Sequence, residues 1–234
     1  LSLALLTLAC IILIVIFIPK WQPKSIDNKH LNESKLSTVW KNPLFKSLVP
    51  MGFFSYGGLF AIQTLWAGPW MIRVSGYTPE ESAQGLFIIY LCMLISFLVW
   101  GYFVPKFSKN VNDAIRLLKI GAPLSLCVLM LIIYLGPKAG SIHWALFIVS
   151  SIFLSLTQPA VGMAFSLSNA GKALTSFNLL IFIGAFFIQW IIGLIIDAGI
   201  KFNLSEIDSF KLAMTFVLIT SLFSYIFFLR KNLK

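Results

Sequence analysis

Charge is what this sequence has least of: Asp, Glu, Lys and Arg make up 11% of its 234 residues, against about 25% in ordinary soluble domains. So few charges cannot cover the outside of a water-soluble fold of this size, which excludes a soluble globular domain. Histidine is nearly absent, with only His30 and His143, so a histidine-based metal centre is not expected. The three cysteines, Cys10, Cys92 and Cys127, lie far apart inside apolar runs without Cys-x-x-Cys spacing, and read as small buried hydrophobes rather than disulfides or ligands. No paired aspartates, His-Glu-x-x-His string or Ser-His pair lies within an apolar run, so no enzyme chemistry and no cofactor is expected.

Hydrophobic residues are abundant, at 59% of the chain, and they are gathered in runs. A bilayer core of about 30 Å needs about 20 apolar residues at a helical rise of 1.5 Å. Seven stretches approach that length: Leu1–Ile18, Leu48–Ile72, Ser82–Phe103, Ile115–Leu135, Ile142–Leu167, Leu174–Ile196 and Phe210–Leu229. Backbone polar groups in lipid must be satisfied within the segment, and the alternating pattern of a membrane barrel is missing, so these runs are predicted to be helices. The expected fold is all-α, a polytopic transmembrane bundle of seven spans, with the lipid bilayer as its solvent.

Basic residues set the expected orientation. If the connector after the first span is cytoplasmic, that side collects all but four of the eighteen Lys and Arg residues, the exceptions being Arg73, Lys138, Lys201 and Lys211. The opposite side gathers the acids Glu80, Glu81, Asp197, Glu206 and Asp208. The C-terminus is then cytoplasmic, in the inner membrane of a bacterium. The net charge of +10 is explained by this bias, and nucleic acid is not an expected partner because no amphipathic face interleaves the cations with aromatics. The first run begins at Leu1 without a basic segment or a cleavage pattern, so it reads as a helix entered midway rather than a signal peptide, and the chain as the later part of a longer protein.

The connectors divide the chain into a helix at 1–18, a basic linker at 19–47 and six closely spaced helices at 48–234. With the string Gly101-Tyr-Phe-Val-Pro105-Lys106-Phe-Ser-Lys109 and the tract from Asn169 through Asn178 to Gly193-Leu-Ile-Ile-Asp197, this layout resembles the C-terminal half of a major facilitator superfamily transporter. The resemblance covers the whole chain and implies that residues 1–18 are the last helix of a missing N-terminal bundle, which would be its partner. It also implies that Gly101, Lys106 and Lys109 belong to a weakened second copy of the family's loop motif, between the third and fourth spans. Pro105 stands where that motif has an acid, and Ser108 where it has its second glycine. The implied function is secondary active or facilitative transport of a small solute by alternating access; the alternative is a non-transporting receptor or structural subunit.

Polar side chains in a bilayer are costly unless partnered, so their positions carry the functional signal. Tyr56, Gln63, Trp66 and Trp70 share a helical stripe on the second span, Ser151, Ser155, Gln158 and Gly162 on the fifth, and Asn178, Phe182, Ala185 and Gln189 on the sixth. In the resembled fold these spans line the central cavity. The three faces are expected to converge on one cleft, with Tyr56, Gln63, Trp66, Gln158, Asn178 and Gln189 as candidates for binding a neutral or zwitterionic small molecule. The plainer reading makes them interhelical packing contacts worth roughly 0.6 kcal/mol each. Trp70, Trp100 and Trp144 are assigned to interfacial belts. Pro69 and Pro159 interrupt apolar helices and are candidate hinges, alongside Gly101, Lys106 and Lys109. Gly184 and Gly193 are expected to permit close helix packing.

Overall fold

The computed structural model describes residues 2–17 and 36–232, and the chain divides into two units, 1–34 and 35–234. The described residues are almost entirely helical, without a strand. In the first unit, α1 (Ser2–Phe17) is a 16-residue apolar helix, shorter than the about 20 residues that span a bilayer. Most of the linker predicted at 19–47 lies outside the described residues. Its end is helical rather than extended, because α2 (Leu36–Lys41) precedes a helix that starts at Pro43.

Six helices of the second unit are long and apolar enough to cross a membrane: α3 (Pro43–Arg73), α4 (Pro79–Phe107), α5 (Val111–Lys138), α6 (Ser141–Met163), α7 (Leu167–Lys201) and α8 (Glu206–Lys231). They match six of the seven apolar runs but overrun most of their ends. Polar caps explain the longer starts, since hydropathy does not register them: Asn42 accepts from the Phe45 amide, Thr78 and Glu81 form a reciprocal capping box, Asn110 accepts from Asp113, and Ser205 accepts from Asp208. The fifth run is shortened instead. Its helix stops at Met163, and Leu167 begins the next one.

α3 is the central helix, packing on α7 and α8 and, toward its end, on α4. α6 packs on α4, α5 and α7, while α8 closes against α5. Burial follows this order: 56% of the apolar window of α3 is buried, against 6% of that of α4. The α3–α7 crossing is made by glycine. A Cβ on Gly184 would lie 2.2 Å from the Phe53 carbonyl oxygen, and one on Gly57 would lie 2.8 Å from the Ala185 amide. Gly184 thus performs the packing role expected of it. Gly193 does not need to be glycine, since its Cβ would meet Trp66 at an ordinary 3.6 Å.

Prolines shape the rods. In α5 the ring of Pro123 displaces the carbonyl one turn back, that of Lys119, and the Tyr225 hydroxyl donates to it at 2.7 Å. In α3, π-wound stretches run over Met51–Tyr56, directly after Pro50, and over Ile62–Trp66, just before Pro69. In α6, the 3-10 stretch Ser151–Leu156 precedes Pro159. Ser151, Ser155 and Thr157 donate back to the carbonyls of Phe147, Ile152 and Leu154 along this stretch, satisfying acceptors that the change of winding disturbs.

Charge sorts by end. Ser47 at the start of α3 accepts from the Asn232 amide beyond α8, so these termini share one end with the α4–α5 and α6–α7 turns. There lie Lys41, Lys46, Lys106, Lys109, Arg116, Lys119, Lys172, Arg230 and Lys231, with Asp113 as the acid among the described residues. The other end carries Glu80, Glu81, Asp197, Glu206 and Asp208 beside Arg73, Lys138, Lys201 and Lys211. The Arg73 guanidinium pairs there with Glu206 at 3.7 Å, in an exposed position.

Candidate functional site

The irregular stretches of α3 and α6 face one cavity. Tyr56, Leu59, Phe60 and Gln63 of α3, Met93 and Phe97 of α4, and Ile148, Ser151, Ile152 and Ser155 of α6 enclose a partly open space of about 160 Å³. A side chain on a regular helix would be carried around the axis by 100° per residue. The π winding before and after Gly57 and the 3-10 winding of Ser151–Leu156 change that rotation and set which groups reach the cavity.

Tyr56 and Gln63 are buried, at 7% and 9% exposure. Neither the Tyr56 hydroxyl nor the Gln63 side-chain amide has a hydrogen-bond partner among the described residues. An amide carries two N–H donors and a carbonyl acceptor, and these groups reach the open space of the cavity rather than being sealed in an apolar interior. The Gln63 backbone carbonyl, by contrast, accepts from the Tyr90 hydroxyl at 2.7 Å, which ties α4 to the π-wound part of α3. On the opposite wall Ser155 is already engaged, donating to Ile152 and accepting the Trp100 indole N–H at 3.2 Å. The free hydrogen-bonding capacity of the cavity therefore belongs to Gln63 and Tyr56.

The other predicted residues lie elsewhere. Gln158 Nε2 donates to Asn178 Oδ1 at 2.8 Å, an α6–α7 bond beyond the cavity lining. Gln189 Nε2 donates to Thr64 Oγ1 at 2.8 Å, and its backbone carbonyl accepts the Trp66 indole N–H at 3.2 Å. The convergence of all six candidates on one cleft is thus corrected. Gln63 and Tyr56 share a cavity with Ser151 and Ser155, whereas Gln158, Asn178, Gln189 and Trp66 pair between helices. Gln158 sits near the end of its helix, five residues before the last residue of α6 at Met163.

Two belt assignments are corrected as well. Trp70 and Trp144 are fully buried and stack edge-to-face with centroids 5.6 Å apart, and Trp70 donates to the Ala139 carbonyl at 3.2 Å. Trp100 is half-buried against Phe153 and Ser155. The string expected in a loop is helical: Gly101, Pro105 and Lys106 lie in the last turns of α4. Lys106 stands 3.8 Å over the Tyr102 ring, and the Lys109 amide donates to Asp113. Nothing touches the position of a Gly101 Cβ. Pro69 is half-buried and Pro159 exposed, and each flanks one of the irregular stretches that border the cavity.

One network escaped the reading of the sequence. Ser55 and Ser224 are 2.8 Å apart, Ser224 donates to the Ser221 carbonyl, and Ser221 donates to the Phe54 carbonyl inside the first π stretch. Serines at 221 and 224 share a face by spacing, and that was the available signal. No group of His, Cys, Asp and Glu among the described residues is arranged to hold a metal ion. Comparison of the chain with protein-family models, with curated proteins and with solved structures finds no match.

Proposed function

We propose that the chain is the C-terminal part of a secondary transporter of the major facilitator type, and that the cavity bordered by Tyr56, Gln63, Ser151 and Ser155 is its share of a solute site. The observation that carries this is the Gln63 amide, buried in the bundle, lining a cavity and lacking a protein partner. An amide open to a cavity and free of protein partners is matched when a solute or water takes its hydrogen bonds. The lining offers an amide, a phenol and hydroxyls with no charge, which suits a neutral or zwitterionic small molecule. The π and 3-10 stretches beside Pro69 and Pro159 supply bendable segments for alternating access, in which one bundle rocks against another. In this reading α1 is a seventh span from a preceding six-helix bundle. The basic end is cytoplasmic by the positive-inside rule, in a bacterial inner membrane, with the C-terminus inside.

The test uses the full-length protein in proteoliposomes, with a panel of radiolabelled neutral and zwitterionic solutes. For a solute that moves, Gln63→Ala should raise the transport KM about two- to tenfold, the equivalent of one neutral hydrogen bond. Gln158→Ala should change it less, because that amide is paired with Asn178. Unchanged transport in Gln63→Ala at equal membrane abundance removes the site assignment. A full-length protein that moves no solute of the panel favours a non-transporting membrane protein instead.

A further inference from the structure

The basic end of the bundle holds a second feature that shares no lining residue with the Gln63 cavity. Between α3 and α8 runs an apolar groove of about 390 Å³, bordered by Pro50 and Phe54 on one side and by Phe223, Ile226 and Phe227 on the other, with Arg230 at its mouth. Beside it, with Phe227 as a common wall, lies a space of about 320 Å³ ringed by Lys41, Lys46 and Lys231. No acid borders either space. Among the described residues none of these four cations is ion-paired, and the one side-chain contact among them is that of the Lys231 ammonium with the Phe227 ring at 5.9 Å.

We propose that this paired feature is a binding site for an anionic phospholipid, whose phosphate sits among Lys41, Lys46, Lys231 and Arg230 while an acyl chain lies along the groove. Two dimensions fit. The groove follows α8 from Arg230 back to Thr220, ten residues or about 15 Å, which is half of a hydrocarbon core about 30 Å thick. One leaflet of lipid has that depth. The charge fits too: four cations without a counter-ion at the lipid headgroup level complete their electrostatics with a phosphate, and basic pockets between transmembrane helices recognise anionic headgroups in this way. A zwitterionic lipid would cancel much of that attraction with its own ammonium. The aromatic rings of Phe54, Phe223 and Phe227 give the chain a wall that ordinary annular lipid would otherwise have to cover side by side.

The site is tested on the full chain purified in detergent, by native mass spectrometry with added phosphatidylglycerol or phosphatidylcholine of identical acyl chains. Phosphatidylglycerol should remain bound where phosphatidylcholine is stripped. The double variant Lys46→Gln, Lys231→Gln should weaken phosphatidylglycerol binding about 30-fold, at roughly fivefold per cation near the surface. Lys46→Arg, Lys231→Arg should restore it, and Ile226→Trp, which fills the groove and leaves the cations, should also displace the lipid. Unfolding of each variant followed by tryptophan fluorescence separates loss of the site from loss of the fold. Equal retention of the two lipids overturns the proposal. So does retention of phosphatidylglycerol by the double Gln variant, equal competition by inorganic phosphate and by lipid, or a dimer of the chain that excludes lipid from the groove.

Discussion

Replacing Gly184 with alanine adds one methyl group at the closest approach in the bundle. The new Cβ would stand 2.2 Å from the Phe53 oxygen and 2.9 Å from the Phe53 carbonyl carbon and Cα, where 3.4–4 Å is ordinary contact. These are backbone atoms, so no rotamer change relieves the clash, and α3 and α7 must separate by roughly 1 Å. A gap of that size forfeits about a quarter to a half of each dispersion contact across it, and overpacking of this kind costs about 1–3 kcal/mol. Alanine returns up to about 1 kcal/mol in helix propensity, which leaves a net loss. Gly193 lies on the same helix, nine residues on, and a Cβ there meets only Trp66 at 3.6 Å. Gly193→Ala therefore keeps the propensity gain without the clash.

The two variants should differ in stability by about 1–3 kcal/mol, the overpacking cost, since the propensity gain is common to both, with Gly184→Ala the weaker. Equilibrium unfolding in mixed micelles, titrated with sodium dodecyl sulfate and followed by tryptophan fluorescence, measures the difference directly. Equal stability of the pair, or a Gly184→Ala protein more stable than Gly193→Ala, would refute the α3–α7 crossing at this residue. The central position of α3 would fall with it.

Two further outcomes are expected. Trp70→Phe should destabilise by about 1 kcal/mol through loss of the bond to the Ala139 carbonyl, whereas Trp144→Phe should be neutral or stabilising because its buried indole N–H has no partner; thermal unfolding of the two variants in detergent checks the order, and a belt role for both predicts no such difference. In a chain with Cys10, Cys92 and Cys127 replaced by alanine, Lys201→Cys should react with a membrane-impermeant maleimide in intact cells and Lys109→Cys only after permeabilisation; the reverse pattern inverts the proposed orientation.

Hydropathy revealed the six long helices because the bilayer imposes a length, and a run of apolar residues records length well. It recorded ends poorly, since the caps at Asn42, Thr78, Asn110 and Ser205 are polar residues that extend each helix past its greasy segment. The sorting of charge between the two ends was legible for the same reason as the spans, as it depends only on connectivity. The pairing of Gln158 with Asn178 was not, because it depends on the azimuth of two helices about their axes. Spacings of three, four and seven assume 3.6 residues per turn, and α3 and α6 depart from that value where the stripes were drawn. Tyr56 and Gln63 remain together on the cavity, while Trp66, at the end of the second π stretch, and Trp70, beyond it, turn to Gln189 and to Ala139. Trp70 shows a further limit: an indole suits a membrane interface or an interior equally, and the carbonyl that decides between them comes from a turn 69 residues away.

The coincidence of irregular winding with the cavity has a physical basis. Each departure from α geometry lies beside a proline, and each loosens i to i−4 bonding and presents carbonyls or hydroxyls sideways. In lipid such groups must find partners, so irregular segments are held where other helices or a polar cavity can meet them. The first π stretch meets Ser221 and Ser224 on α8, the second meets Tyr90 on α4, and the 3-10 stretch satisfies itself with its own serines and threonine. Fixed protein groups thereby meet part of the backbone of each irregular stretch. Within the cavity lining, the Gln63 amide and the Tyr56 hydroxyl are left without a fixed protein partner. Leucine and phenylalanine there would fill the same space and hold the bundle together without offering the cavity any hydrogen-bonding group. Gln63→Leu should therefore leave stability about unchanged while raising the transport KM about two- to tenfold, as Gln63→Ala does, and a variant clearly less stable than the parent would instead make Gln63 a packing residue.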